Sequence, residues 1–263
     1  MKLLWPQAQH LYLSPHLDDA VLSCGGMILQ QTAAGRSVAV VTVFAGSPLP
    51  FRSLSPFALE LHHRWQESAS QEEFADPPAM RRVEDIRAFA RLHPAIHVVH
   101  FPFMDCIYRV HPVTGEALYA SEEAIFGELD SVDPALEPLE ISPPVLDEST
   151  LYCPLGIGHH VDHQVVRRVV DGWGFDSSQV RYYEDYPYAG APGAVEAIVG
   201  PNEGWIPSIT PLSEADLNAK IDAVGEHNSQ IKTFWETREA MAEAVRQFTA
   251  RTGGERVWIH AGQ

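Results

Sequence analysis

The chain reads as an α/β protein: a mostly parallel, doubly wound sheet with helices on both faces, followed by a C-terminal helical extension. Three observations lead there. Short apolar runs rich in β-branched residues alternate with stretches of helical spacing from Leu11 to Asp185, which is the signature of repeated strand–helix–strand units. One run, Val38–Ala45, is almost continuously apolar, as a strand buried on both faces of a parallel sheet requires. The segment Ser213–Arg251 is instead dominated by helix formers.

The elements follow in order. Leu11–Leu13 is a short first strand, and Ala20–Ala34 a helix closed by Gly35. Val38–Ala45 is the second strand. Pro56–Phe74 and Ala79–Leu92 read as helices, the latter with Met80, Val83, Ile86 and Ala90 at helical spacing. Ile96–Phe103 is the third strand and Leu151–Leu155 the fourth. Val161–Trp173 forms a helix ended by Gly172 and Gly174, and Val180–Asp185 is the fifth strand. Ser213-x-x-Asp216 starts the C-terminal helices, which break near His227–Ser229, and Arg256–His260 is a last strand on the sheet edge. Residues 1–263 are expected to form a single domain with a long insertion at about 105–149 and a helical C-terminal part at about 213–251. From Glu122 to Glu148 that insertion holds nine Asp or Glu and no Lys or Arg. A loop of this length is either a functional lid or a poorly ordered insertion, and the second reading is preferred here.

Bulk properties narrow the function. Hydrophobic residues make up 45% and charged residues 20%, the composition of an ordinary globular protein. A formal charge of −17 argues against nucleic acid or an anionic membrane as partner, because phosphate binding needs clustered Lys and Arg. No apolar run is long enough to span a bilayer, and Met1–Pro6 lacks the apolar core of a secretory signal. Cys24, Cys106 and Cys153 are sparse and have no CxxC spacing. That pattern excludes a disulfide framework or a thiolate zinc site and points to the reducing cytoplasm.

The chemistry lies in two clusters. Pro15-His16-Leu17-Asp18-Asp19 follows the first strand, and Gly156-Ile157-Gly158-His159-His160-Val161-Asp162-His163 follows the fourth. Ligands of open α/β sheets bind outside the carboxyl ends of strands, so topology can bring the clusters together. Histidines and carboxylates at two such ends suit one divalent cation, with an oxygen left over for proton transfer. The side chains of the neighbours Asp18 and Asp19 diverge, which suits one ligand and one free base. His160 and His163 share a helix face, so that one can bind metal while the other faces substrate. Taken singly, Asp18 or Asp19 is most simply a helix cap or first-turn acid, and His160 a surface or capping residue. Their coincidence at both strand ends makes the metal site the better reading. His159 could replace either neighbour; His62, His63, His93, His97, His100, His111 and His260 lack a carboxylate cluster and are read as structural. Gly25-Gly26 is no dinucleotide fingerprint, and neither GxGxxG nor GxxxxGK[ST] occurs. A nucleotide-binding oxidoreductase or methyltransferase is therefore disfavoured.

These motifs resemble the N-acetylglucosaminyl-phosphatidylinositol de-N-acetylase (PIG-L, LmbE-like) family. Three further segments carry the likeness: Met80-Arg81-Arg82-Val83-Glu84-Asp85, Tyr183-Glu184-Asp185-Tyr186-Pro187-Tyr188 and Ser229-Gln230. Leu17 and Ala20 depart from the usual proline and glutamate of the first motif, at positions that are not ligands. The resemblance implies a Rossmann-like sheet and a zinc hydrolase that removes an acetyl or other acyl group from an amino sugar. His16, Asp19 and His163 would hold Zn2+, and Fe2+ suits the same ligands. The metal would polarise the amide carbonyl and activate water. Asp18 would be the general base, His160 the oxyanion stabiliser or acid, Asp162 the residue that orients a histidine, and Arg81 the substrate contact. The alternative for Arg81 is a salt bridge to Glu84 or Asp85. The expected ligand is a small-molecule amino-sugar glycoconjugate. Alternatives keep the site but change the substrate to a thiol-glycoside conjugate or an antibiotic glycoside, or make the chain a non-catalytic sugar- or metal-binding module. The last would predict loss of a ligand or base, yet all are present.

Overall fold

The computed structural model describes residues 4–49, 53–68, 76–136, 143–146, 148–201 and 204–261. Along the chain run β1 (His10–Ser14), α1 (Asp19–Ala33), β2 (Val38–Thr42), α2 (Pro56–Ser68), α3 (Pro77–Leu92), β3 (His97–His100) and α4 (Glu122–Ile125). They are followed by β4 (Thr150–Pro154), α5 (Val161–Gly172), β5 (Val180–Tyr183), α6 (Glu196–Val199) and β6 (Trp205–Thr210). The chain closes with α7 (Glu214–Val224), α8 (Asn228–Phe234), α9 (Arg238–Thr252) and β7 (Glu255–His260). The predicted helix over 56–74 is seen to Ser68, and 69–75 lie outside the described residues.

The seven strands form one sheet in the order β3-β2-β1-β4-β5-β7-β6. The first five are parallel, and β7 and β6 run antiparallel at one end. The predicted α/β architecture is therefore present. Alternating residues of each strand divide two cores. Leu11, Leu13, Ala39, Val41, Leu151 and Cys153 pack with α5, whereas Tyr12, Val38, Val40 and Tyr152 pack with α1, α3, α7 and α9. This two-residue period is the pleat of a sheet covered on both faces. No described helix is long and apolar enough to cross a membrane.

Two expectations need correction. The last strand is not the edge: β6 lies outside β7. β6 escaped sequence reading because its six residues are mostly exposed on both faces and include Pro207, so neither an apolar run nor an alternation marks it. The insertion is not inert. Ile107, Tyr108, Tyr119 and Ile125 form a third core with Phe57, Trp65, Met80 and Val161, which ties this segment to the start of α5.

Gly25-Gly26 has a packing role. A Cβ on Gly26 would lie 2.5 Å from Leu212, and one on Gly25 would lie 3.2 Å from the Lys220 stem. Bare backbone here lets Glu255 reach into α1, where its carboxylate accepts the Gly26 and Met27 amides at 2.9 and 2.6 Å. The same carboxylate pairs with the buried Lys220 ammonium at 2.7 Å.

Candidate metal centre

After β1 the chain runs to β2 and β3 on one side, then returns to place β4 on the other. The crevice where the strand order reverses, at the carboxyl ends, is the usual ligand site of such sheets. Both motifs open onto it. The first loop is pinned by Ser14, whose hydroxyl donates to the His16 carbonyl at 2.6 Å and accepts the Ala20 amide at 3.0 Å. Asp18 occupies the N-cap of α1 but makes no side-chain cap hydrogen bond, so the simple capping role fails for it. Asp19 accepts the His16 amide at 2.7 Å.

Asp19 Oδ2 lies 3.3 Å from His16 Nδ1 and 3.3 Å from His163 Nε2. Ligands on a tetrahedral zinc at 2.0–2.1 Å stand roughly 3.3 Å from one another, so this spacing fits a shared cation. The far nitrogen of each histidine is already held: His16 Nε2 by Asp162 at 2.8 Å and His163 Nδ1 by Asp185 at 2.6 Å. Such carboxylate partners fix ring orientation at metal sites. His163 Nε2 is buried and has no hydrogen-bond partner, the orphaned atom that a cation would satisfy.

His160 stands beside these groups; one nitrogen from each of His16, His160 and His163 lies within 4.8 Å of the others. Its Nδ1 accepts the Asp162 amide at 3.2 Å as the N-cap of α5. The proton of the neutral ring therefore sits on Nε2, which makes that atom a donor and not a ligand. His159 does not compete for the site, since its Nδ1 sits 3.0 Å from the Gly127 carbonyl of the insertion. Gly158, at φ 88°, allows this turn, because a Cβ there would meet Tyr188 at 2.5 Å. Among the histidines read as structural, His62 bonds Tyr108 at 2.6 Å and His100 bonds Asp85 at 2.8 Å.

Arg81 pairs with neither Glu84 nor Asp85. Its Nη2 lies 3.8 Å from Asp18 Oδ1, and its guanidinium sits 4.6 Å over Trp65. Glu84 instead accepts from the Ser229 amide and hydroxyl. Arg81 and Gln230 line the cavity over the site, whose aromatic walls are Trp65, Phe126, Tyr188 and Phe234. Sequence reasoning missed Asp185, Asp105 and Arg109. Asp185 lay within the quoted segment Tyr183–Tyr188. Asp105 lies 3.8 Å from His16 Nε2, and Arg109 pairs with Asp162 at 2.6 Å.

Electrostatics separates the two adjacent aspartates. Burial and the Asp19 charge raise Asp18 to about 7, against the pull of Arg81. Burial would also raise Asp19, but His163 and His16 hold it well below the usual carboxylate range. Burial works to lower His163, yet Asp19 and Asp185 raise it to about 9. For His160, burial and the His16 charge act together, and the ring stays neutral.

His227, behind this site, is buried with both ring nitrogens unpartnered, 3.9 Å from Asp85. Burial lowers it from 6.5 to about 4, only partly opposed by Asp85. The unfolded chain thus takes up this proton first on acidification, and stability falls between the two values. We expect wild type to lose about 3 kcal/mol more than His227→Asn between pH 7 and pH 4, as read by urea unfolding. Parallel pH profiles would contradict this.

The chain is similar to several known proteins. A 2'-N-acetylparomamine deacetylase of Niallia circulans is 28% identical over 187 residues, which cover 68% of this chain and 66% of that protein. The chain thus spans just under two thirds of that relative. A 2'-N-acetylparomamine deacetylase of Streptomyces fradiae is 29% identical over 276 residues, covering 95% of this chain and 89% of that protein. The zinc-inhibited form of a teicoplanin deacetylase matches with a TM-score of 0.74 at 27% identity, covering 95% of this chain and 96% of that one. A family model described as GlcNAc-PI de-N-acetylase matches residues 11–173, a stretch that contains both His/Asp motifs. The chain therefore belongs to the GlcNAc-PI de-N-acetylase (PIG-L) family of deacetylases.

Proposed function

We propose that the chain is a metal-dependent N-deacetylase that hydrolyses the acetamide of an N-acetylated amino sugar carried on a glycoside. The observation that carries the reading is the convergence of His16 Nδ1, Asp19 Oδ2 and His163 Nε2 at 3.3 Å spacing, with both histidines backed by carboxylates. These three residues would hold the cation, Zn2+ by the mixed nitrogen and oxygen donor set, with Fe2+ accepted by the same ligands. When bound, the metal supplies Lewis-acid polarisation of the amide carbonyl and lowers the pKa of water.

The chain's own groups do the rest. Asp18, outside the ligand set, takes the proton of the attacking water and delivers it to the leaving amine. A nearby cation would pull its pKa down further, which keeps it ionised at neutral pH. The His160 Nε2–H donates to the carbonyl oxygen as negative charge develops there. Asp162 and Asp185 hold His16 and His163 in orientation. Arg81, braced on Trp65, reaches a substrate oxygen while staying close to Asp18. The aromatic walls offer flat apolar faces to a sugar ring, and the named substrates of the relatives, acetylparomamine and teicoplanin, support a glycoside over a free monosaccharide. Residues 1–263 act as one catalytic unit in this reading. The three buried free cysteines are in keeping with the cytoplasm.

Acetate release from a panel of N-acetylated aminoglycosides, glycopeptide pseudoaglycones and N-acetylglucosamine tests this. We expect zinc-loaded wild type to release acetate from at least one glycoside. Chelated protein and His163→Ala should be silent, the latter through loss of the metal. Release that survives complete removal of metal would refute the mechanism.

A further inference from the structure

We infer that Arg109, from the acidic insertion, is a positioning residue of the metal centre: it clamps Asp162 against His16 and anchors it to Asp133. The inference rests on the reading of His16 as a ligand. Arg109 is 3% exposed and stands between two carboxylates that are themselves almost wholly buried. Its Nη1 lies 2.6 Å from Asp162 Oδ1, and its Nε 3.0 Å from Asp133 Oδ1. The other oxygen of Asp162 meets His16 Nε2 at 2.8 Å and accepts the Cys106 amide at 3.0 Å. A continuous run of short contacts, closed to water, thus leads from Asp133 through Arg109 and Asp162 to His16.

The outer end of this run is also fixed. Asp133 accepts from the Tyr119 hydroxyl at 2.7 Å and from the Ala135 amide at 2.8 Å. The guanidinium carbon also lies over the Phe44 and Tyr119 rings, 5.1 and 5.4 Å from their centroids. His16 can turn its Nδ1 toward Asp19 only while its Nε2 is held, and the holder is Asp162. Outer partners of this kind govern metal affinity at other centres. Arginine suits the place because two nitrogens of one planar guanidinium reach two carboxylates at once, whereas lysine offers a single mobile point charge. If Arg109 merely neutralised two buried acids, its loss would destabilise the fold and leave the ligand geometry alone.

The test compares full-length wild type with Arg109→Lys, which keeps the charge, and Asp133→Asn, which frees the outer end. Zn2+ affinity is measured by competition with a chromophoric chelator, and the ligand field by Co2+ absorption, alongside thermal unfolding of the metal-free proteins. We expect Arg109→Lys to bind Zn2+ about 10- to 100-fold more weakly with a changed Co2+ spectrum. Asp133→Asn should move both readouts the same way by a smaller factor. Affinity within about twofold of wild type in a folded Arg109→Lys overturns the inference, whatever happens to its melting temperature. Should that variant fail to fold, an unchanged affinity and spectrum in Asp133→Asn overturns it instead. Wild type that binds neither metal sinks the metal reading and this inference together; normal wild-type binding with indifferent variants sinks the inference alone.

Discussion

Replacing Asp18 by asparagine is expected to lower acetate release roughly 10²- to 10⁴-fold, the range for loss of a general acid–base group, while metal binding stays near wild type. The expectation follows from the division between neighbours. Asp19 lies 3.3 Å from each of the two ligand histidines. Asp18 has no cap hydrogen bond and, among the described residues, only Arg81 within ion-pair distance, at 3.8 Å. Asparagine preserves shape and one acceptor oxygen but cannot take a proton. Steady-state turnover and zinc stoichiometry, measured on one preparation, decide the matter. A variant that empties of zinc would make Asp18 a ligand, and one that turns over like wild type would remove the base from the mechanism.

The second large effect concerns stability. Glu255→Ala leaves the Lys220 ammonium, 2% exposed, without its partner at 2.7 Å. It also removes the carboxylate that accepts from the Gly26 and Met27 amides of α1. Breaking a buried pair from one side costs about 3–5 kcal/mol. That loss corresponds to a drop of roughly 6–20 °C in melting temperature for a chain of this size. The double variant Lys220→Met/Glu255→Leu removes the stranded charge and should recover part of the loss. A single variant within 1 kcal/mol of wild type by urea unfolding would show that the pair is not closed to water. Since α1 begins at the metal motif, weakened zinc binding in Glu255→Ala would report slack transmitted along the helix.

The strands and helices that build the crevice were legible for identifiable reasons. Val38–Thr42 is apolar on both sides because both faces are covered. Helix α3 was legible but its buried face was not: of Met80, Val83, Ile86 and Ala90 only Met80 is buried, and the packed stripe is Met80, Glu84, Ala88 and Leu92. The pair of motifs was legible because strand ends at a reversal point face one another. What stayed hidden depends on contacts between distant segments. Asp185, Asp105 and Arg109 look like ordinary polar residues until folding sets them against His163, His16 and Asp162. One signal was available: Arg109 is the single Lys or Arg between Asp105 and Ser149, a stretch crowded with acids. A lone cation in such a setting is a candidate for a buried partner. The place of β6 outside β7 carried no signal at all, since an exposed edge strand with a proline has no apolar pattern to read.

The pairing of β1 with β4, Leu11 against Leu151, has a kinetic consequence. His16 and its partner Asp162 are 146 residues apart in sequence, so neither half of the chain presents the full donor set by itself. A refolding chain must close this long-range contact, at a high entropic cost, before the three donors stand together. If these residues hold zinc as proposed, its uptake by a refolding chain would time the moment when the two halves of the sheet join.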